Sequence, residues 1–188
     1  MSVKALTRRF TVEEYHRMAL AGIFSEDDRV ELLDGAIIEM APIGHRHAGC
    51  VSRLTDLLTE RLRGRATVHV QNPVRLVPYS EPQPDLSVLR YREDYYQTRP
   101  VEASDVLLLI EVADTSADFD RAVKLPLYAR AGIPIVWLID LAEDRVLVCS
   151  DPTPEGYRRA QEVGRGGVLT LAFADFRLAA DEALGPAA

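Results

Sequence analysis

Five apolar residues lead into one acid in the run Val106-Leu107-Leu108-Leu109-Ile110-Glu111-Val112. An unbroken apolar run of this length, rich in branched side chains, reads as a strand covered on both faces. Such a strand lies inside a sheet, with other elements packed above and below it. Glu111 sits near its end, where an ionised carboxylate needs a metal, a cation or several hydrogen-bond donors. The residue is therefore either a paired structural oddity or part of a site.

The flanks extend this reading. After the strand, Thr115 or Ser116 can cap a helix over 115–131, with Gly132 as its stop and Pro126 as an internal kink or irregular turn. An apolar strand over 133–139 follows, which completes a strand-helix-strand unit. Before it, 84–89 reads as a strand and 90–100 as a polar loop. Segments 66–71 and 74–77 read as two strands, or as one bent at Pro73. Apolar residues at helical spacing mark a helix over 47–63, closed by Gly64. Asp34-Gly35 between two strand-like runs, 29–33 and 36–40, signals a hairpin. Thr11-Val12-Glu13-Glu14 fits a capping box for a short helix ending near Gly22, with Tyr15, Met18 and Ala19 on one side. Downstream, Glu143-Asp144 turns the chain into a strand over 145–149, and weaker strands follow at 157–161 and 169–171. The expectation is one mixed α/β domain over 1–188, its sheet flanked by helices.

Composition bounds the possibilities. Apolar content of 47% and charged content of 27% belong to a folded globular chain. No apolar stretch is long enough to span a bilayer. The first nine residues, Met1 to Arg9, lack a secretory core, so a cytoplasmic address is expected. Cys50 and Cys149 form no metal or disulfide pattern and are expected as buried apolar residues. A net charge of −7 argues against a protein that coats nucleic acid. Arg8, Arg9, Arg61, Arg63 and Arg65 are expected as solvated charges near helix ends.

Three groups combine into a possible site. Asp85 begins one strand, Glu111 ends the next, and Lys124 lies on the helix after it. If the two strands are neighbours, the carboxylates repel, and a divalent cation relieves the repulsion. A lysine beside such an ion can orient water or neutralise a transition state. Each residue also has a plainer role open to it. Asp85 can be a turn residue after Pro84, Glu111 a core ion pair, and Lys124 a surface partner of Asp120 four residues back.

Pro84-Asp85 followed by Glu111-Val112-Ala113 resembles the PD-(D/E)xK nuclease motif. More narrowly, an ordered set of segments resembles a bacterial family of restriction-endonuclease-like proteins, Uma-two. It comprises Val30-Glu31-Leu32-Leu33-Asp34-Gly35, the helix opening at His47, Pro84-Asp85-Leu86-Ser87-Val88 and Leu109-Ile110-Glu111-Val112-Ala113. Lys124-Leu125-Pro126-Leu127-Tyr128-Ala129, Gly132-Ile133-Pro134 and Trp137-Leu138-Ile139-Asp140 complete it. The likeness runs over about 11–149. It implies a restriction-endonuclease-like core and hydrolysis of DNA phosphodiesters with Mg2+ or Mn2+. It also implies Asp85 and Glu111 as metal ligands, a backbone carbonyl of Val112 or Ala113 as a further one, and Glu31 as a ligand or water-orienting group. Glu31 can equally be an outward residue on a half-exposed strand. Ala113 stands where the motif has lysine, and Lys124 is the expected substitute. Ile135 stands where the family commonly has an acid, with no functional account of the change. His45 and His47 are a weak pair as metal ligands; His47 is the candidate for touching substrate phosphate.

The leading expectation is thus a metal-dependent DNA nuclease. The alternative is an inactive nuclease fold kept as a binding or oligomerisation module, a partner in a mobile-element or defence system. Acid–base attack on a glycosidic bond by Glu31, Asp85 and Glu111 is the weakest reading, because 7% aromatic residues furnish little of a sugar cleft. Nucleases that cut both strands often pair, so a homodimer is an expectation of the activity rather than of any residue pattern.

Overall fold

The structure, a computed structural model, describes residues 7–25, 27–171, 173 and 175–186. The first six residues, on which the expected cytoplasmic address partly rests, lie outside them. A six-stranded mixed sheet runs in the order β3-β4-β5-β6-β7-β8. Its strands are β3 (Ala66–Val70), β4 (Leu86–Arg90), β5 (Val106–Ala113), β6 (Ile135–Asp140), β7 (Arg145–Thr153) and β8 (Gly156–Gly164). The decisive run is β5, inside the sheet as read, antiparallel to β4 and parallel to β6.

Both faces of β5 are covered. Leu108, Ile110 and Val112 face a core built with Leu54, Leu58 and Leu62 of the long helix α2 (His45–Arg61) and its C-terminal turn. Leu109 and Ala113 face a second core with Leu125, Leu127, Tyr128 and Ile133. Alternation along the strand therefore sends Glu111 toward that second side. Its exposure is only 4%.

The N-terminal helix α1 (Val12–Leu20) carries the full capping box at Thr11 and Glu14. Val12 is its buried residue; on the expected side Tyr15 and Met18 are half-buried, while Ala19 is exposed. The hairpin of β1 (Val30–Leu33) and β2 (Ala36–Glu39) turns on Asp34 (φ 49°) and Gly35 (φ 83°). Both take the left-handed conformations a tight hairpin demands. A side chain at Gly35 would collide with Arg9, whose Cβ lies 2.5 Å from the place of a Cβ.

Other expectations change. The stretch 74–77 is no sheet strand: Arg75 and Leu76 make isolated bridges to Glu102 and Ser80. Pro73, Pro78 and Pro82 remove the donors a longer ladder needs. The helix expected over 115–131 comprises α3 (Ala117–Phe119), a π-helical turn (Asp120–Lys124) and α4 (Leu125–Arg130). The Leu125 N–H reaches back five residues to the Asp120 carbonyl. Pro126 lacks an N–H and crowds the preceding turn, which widens to accommodate it. After β8, the hairpin of β9 (Val168–Leu171) and β10 (Phe176–Ala179) leads into α5 (Ala180–Leu184), which packs on α2.

Cys50 and Cys149 are buried free thiols, as expected. The arginines are less free than their pattern suggests. Arg8 pairs with Glu14, Arg9 with Asp34, and Arg61 with Glu182. Among the described residues, no helix is long and apolar enough to cross a membrane.

Candidate active site

Leu86 of β4 lies opposite Ile110 of β5. Continuing that register one residue brings Asp85 level with Glu111. Asp85 Oδ2 accepts the Val112 N–H at 2.8 Å and lies 3.0 Å from His47 Nε2, while Gln71 Nε2 is 3.4 Å from Oδ1. The neighbouring-strand geometry required of the two carboxylates is therefore present, and Asp85 does more than initiate a turn.

Glu31, on β1, is 3% exposed and points inward, so the reading of an outward side chain is overturned. Its Oε2 accepts the Gln83 N–H at 3.1 Å. Lys124 lies between the acids, 3.2 Å from Glu31 Oε1 and 3.3 Å from Glu111 Oε1. Its side chain is 7% exposed, which overturns the surface pair with Asp120. Asp120 is itself buried and accepts a bond from Ser116 Oγ at 2.9 Å. The widened turn ahead of Pro126 thus presents both Asp120 and Lys124 inward, each within the fold rather than on its surface.

Tyr128 completes the cluster, its hydroxyl donating to Glu111 Oε1 at 2.5 Å. It is not among the site residues expected from the sequence. Its signal is the four-residue spacing from Lys124, which places both on one side of a helix. Asp120, four residues before Lys124, carries a similar signal, which reads as a surface pair when taken alone.

Glu31, Asp85, Glu111, Lys124, Asp120 and His47 all line one open cavity of about 460 Å³. His45 is exposed at the start of α2 and is not among its lining residues. Ile135 pairs with Ser150 on β7, and nothing around it supplies a functional reason for the absent acid.

The electrostatics are strained. Burial pushes the Glu111 carboxyl from its ordinary 4.5 up to about 8, with Asp85 and Asp120 adding to the effect. Lys124 and the Tyr128 hydroxyl act the other way. Burial opposes the Lys124 ammonium, but Glu111, Glu31 and Asp120 outweigh it and raise its pKa. Burial also raises Asp120. The hydrogen bond with Asp85 raises His47, which favours imidazolium at the cavity wall.

These residues fit a hard cation by the chemistry of their donors. Glu31, Asp85, Glu111 and Asp120 all face one cavity, and the Glu111 carboxyl is held far from its ordinary titration. Among the described residues, no three His, Cys, Asp or Glu side chains form a ready-made metal cluster. Asp85 and Glu111 with a backbone carbonyl and water are the donor set on offer, and magnesium favours few protein carboxylates. The two candidate carbonyls differ. That of Ala113 accepts the Leu141 N–H at 2.8 Å, within the β6 side of the sheet. Val112 donates its N–H toward Asp85, and a strand residue sends its N–H and C=O to the same side. The Val112 carbonyl is therefore the one on the Asp85 side of the strand.

The raised Glu111 pKa has a consequence for the metal-free protein. Between pH 4.5 and about 8 the folded chain holds a proton that the unfolded chain has lost. Raising pH through that window removes stability, by up to about 1.4 kcal/mol per pH unit, and the loss ends above it. Urea denaturation across the window should show this slope, and Glu111→Gln should flatten it. An unchanged slope would assign the dependence to other groups.

A family model described as a putative restriction endonuclease, Uma2, matches residues 12–181. The chain belongs to the Uma2 family. The match passes beyond the 11–149 likeness and takes in the C-terminal hairpin and the start of α5, so those elements are part of the Uma2 unit. A solved structure from Anabaena variabilis ATCC 29413, described as a putative nuclease belonging to DUF820, has the same fold at a TM-score of 0.74. Its identity is 16%, over 93% of this chain and 97% of that one. No curated protein sequence matches. Uma2 membership agrees with the mixed sheet and flanking helices described above.

Proposed function

We propose that the chain is a divalent-cation-dependent nuclease acting on DNA phosphodiester bonds. The observation that carries this reading is the convergence of Asp85, Glu111 and Lys124 in one open cavity, in the order the motif requires. Asp85, Glu111 and the Val112 carbonyl would hold Mg2+ or Mn2+, with Glu31 as a further ligand or water-orienting group. When bound, such an ion lowers the pKa of a coordinated water and neutralises charge on the scissile phosphate. Lys124, kept protonated by its acidic neighbours, places an ammonium where negative charge develops on that phosphate. Lysine is absent from position 113, and the buried ammonium from α4's threshold supplies the missing charge. His47, biased toward imidazolium by Asp85, offers a donor for a phosphate oxygen at the cavity wall. Tyr128 and Gln83 fix the orientations of Glu111 and Glu31.

The test is cleavage of supercoiled and linear DNA by purified protein with magnesium, with manganese and with chelator. The expected result is metal-dependent cleavage that disappears in Glu111→Gln. Cleavage that persists in chelator, or that survives Glu111→Gln, would assign the activity to another site. Stable protein that binds neither ion and cuts nothing would favour the module reading.

A further inference from the structure

The sheet ends on β8, and among the described residues no segment pairs with its outer edge. Arg158, Arg159, Ala160, Gln161 and Glu162 are all exposed, so side chains on both faces of the strand reach solvent here. A nine-residue edge of unpaired backbone groups is a template for another strand. Edges are commonly protected by charges that repel a second copy. This one carries charges of both signs, in mirror positions about Ala160.

We propose that two copies of the chain form a symmetric dimer by antiparallel pairing of their β8 edges, centred on Ala160, into one continuous sheet. In that register Arg158 lies opposite the partner's Glu162, Arg159 opposite the partner's Gln161, and Glu162 opposite the partner's Arg158. Two-fold symmetry restricts the alternatives, because bonded and non-bonded pairs alternate along an antiparallel ladder and the axis must pass through a residue paired with itself. Centring on Arg159 would set two guanidinium groups directly against each other, which is unfavourable. Centring on Gln161 would leave Arg158 opposite the partner's Gly164 and lose both charge pairs. The Ala160 register alone matches opposite charges twice. Within the chain these side chains are only lightly engaged: Arg158 reaches Asp151 at 4.0 Å and Glu162 reaches Arg145 at 3.1 Å, both at the surface. The interface is separated from Asp85 and Glu111 by the strands β6 and β7, so it can be altered without touching the acids.

The experiment is a charge swap read by sedimentation equilibrium on the full chain. The wild-type chain is expected at twice the chain mass. Arg158→Glu sets a carboxylate against the partner's Glu162 at both ends and should halve the mass. Glu162→Arg should do the same by setting arginine against arginine. Mixing the two single variants restores opposite charges at both ends of the mixed pair and should return the dimer mass, and the double variant gives the same rescue in a single species. It carries both swaps in each chain, restores opposite charges at both ends and should return to the dimer mass. Unchanged circular dichroism would show that each variant is folded. A monomeric wild-type chain, single variants that stay dimeric, or a double variant that stays monomeric would each overturn the proposal.

Discussion

Replacing Lys124 with methionine should lower metal-dependent DNA cleavage by about 10²- to 10³-fold, the loss expected when one preorganised donor to developing charge is removed. Methionine fills similar space, so the change removes charge more than volume. Glu31 and Glu111 would then face the cavity without the ammonium that lies within 3.3 Å of both. The pair that breaks is the buried one with Glu31, and removing one partner of such a pair costs about 3–5 kcal/mol, because the remaining charge stays buried. A lower urea midpoint should accompany the lower rate. The decisive number is the single-turnover rate at a temperature where circular dichroism shows the variant folded. A rate equal to wild type under those conditions removes Lys124 from the chemistry.

Asp85→Asn should abolish stabilisation by magnesium or manganese and reduce cleavage by about 10²-fold or more, the scale on which removing one electrostatic contributor acts. Asparagine retains an oxygen for the Val112 N–H, now met by Asp85 Oδ2 at 2.8 Å. The local backbone should therefore hold, and metal-free stability should change little. What is lost is the negative charge. His47 should report this independently: its pKa, raised first by the hydrogen bond with Asp85, should fall back toward the ordinary imidazole value. Proton NMR of the His47 ring in both proteins checks this. An Asp85→Asn protein with wild-type thermal shifts in manganese would show that the ion is held elsewhere.

Much of this architecture is legible in the chain because single local signals agree. The apolar run into Glu111 requires two covered faces, and β5 has them. Asp34-Gly35 requires a hairpin, and both residues take positive φ. The parts that escape are decided by tertiary contact. The elements β10 and α5, four and five residues long, are too short for periodicity to speak. Part of what holds α5 against α2 is Arg53, which donates to the Glu182 and Ala183 carbonyls. Neither bond is visible in a local pattern.

The site divides in the same way. Asp85 and Glu111 stand out because carboxylates beside apolar strands are costly. Glu31 does not, because Val-Glu-Leu-Leu suits a half-exposed strand until a lysine is known to lie above it. Lys124 resembles a helix-surface partner of Asp120, since the four-residue rule assumes a regular α-helix. The π-helical turn over Asp120–Lys124 breaks that assumption and leaves both side chains buried.

Anomalous diffraction from a crystal soaked in manganese would locate the ion. One strong peak is expected between Asp85 and Glu111, within coordinating reach of the Val112 carbonyl and beside the Lys124 ammonium. A cavity that stays empty in saturating manganese, with Lys124 still bridging Glu31 and Glu111, would contradict metal binding by these acids.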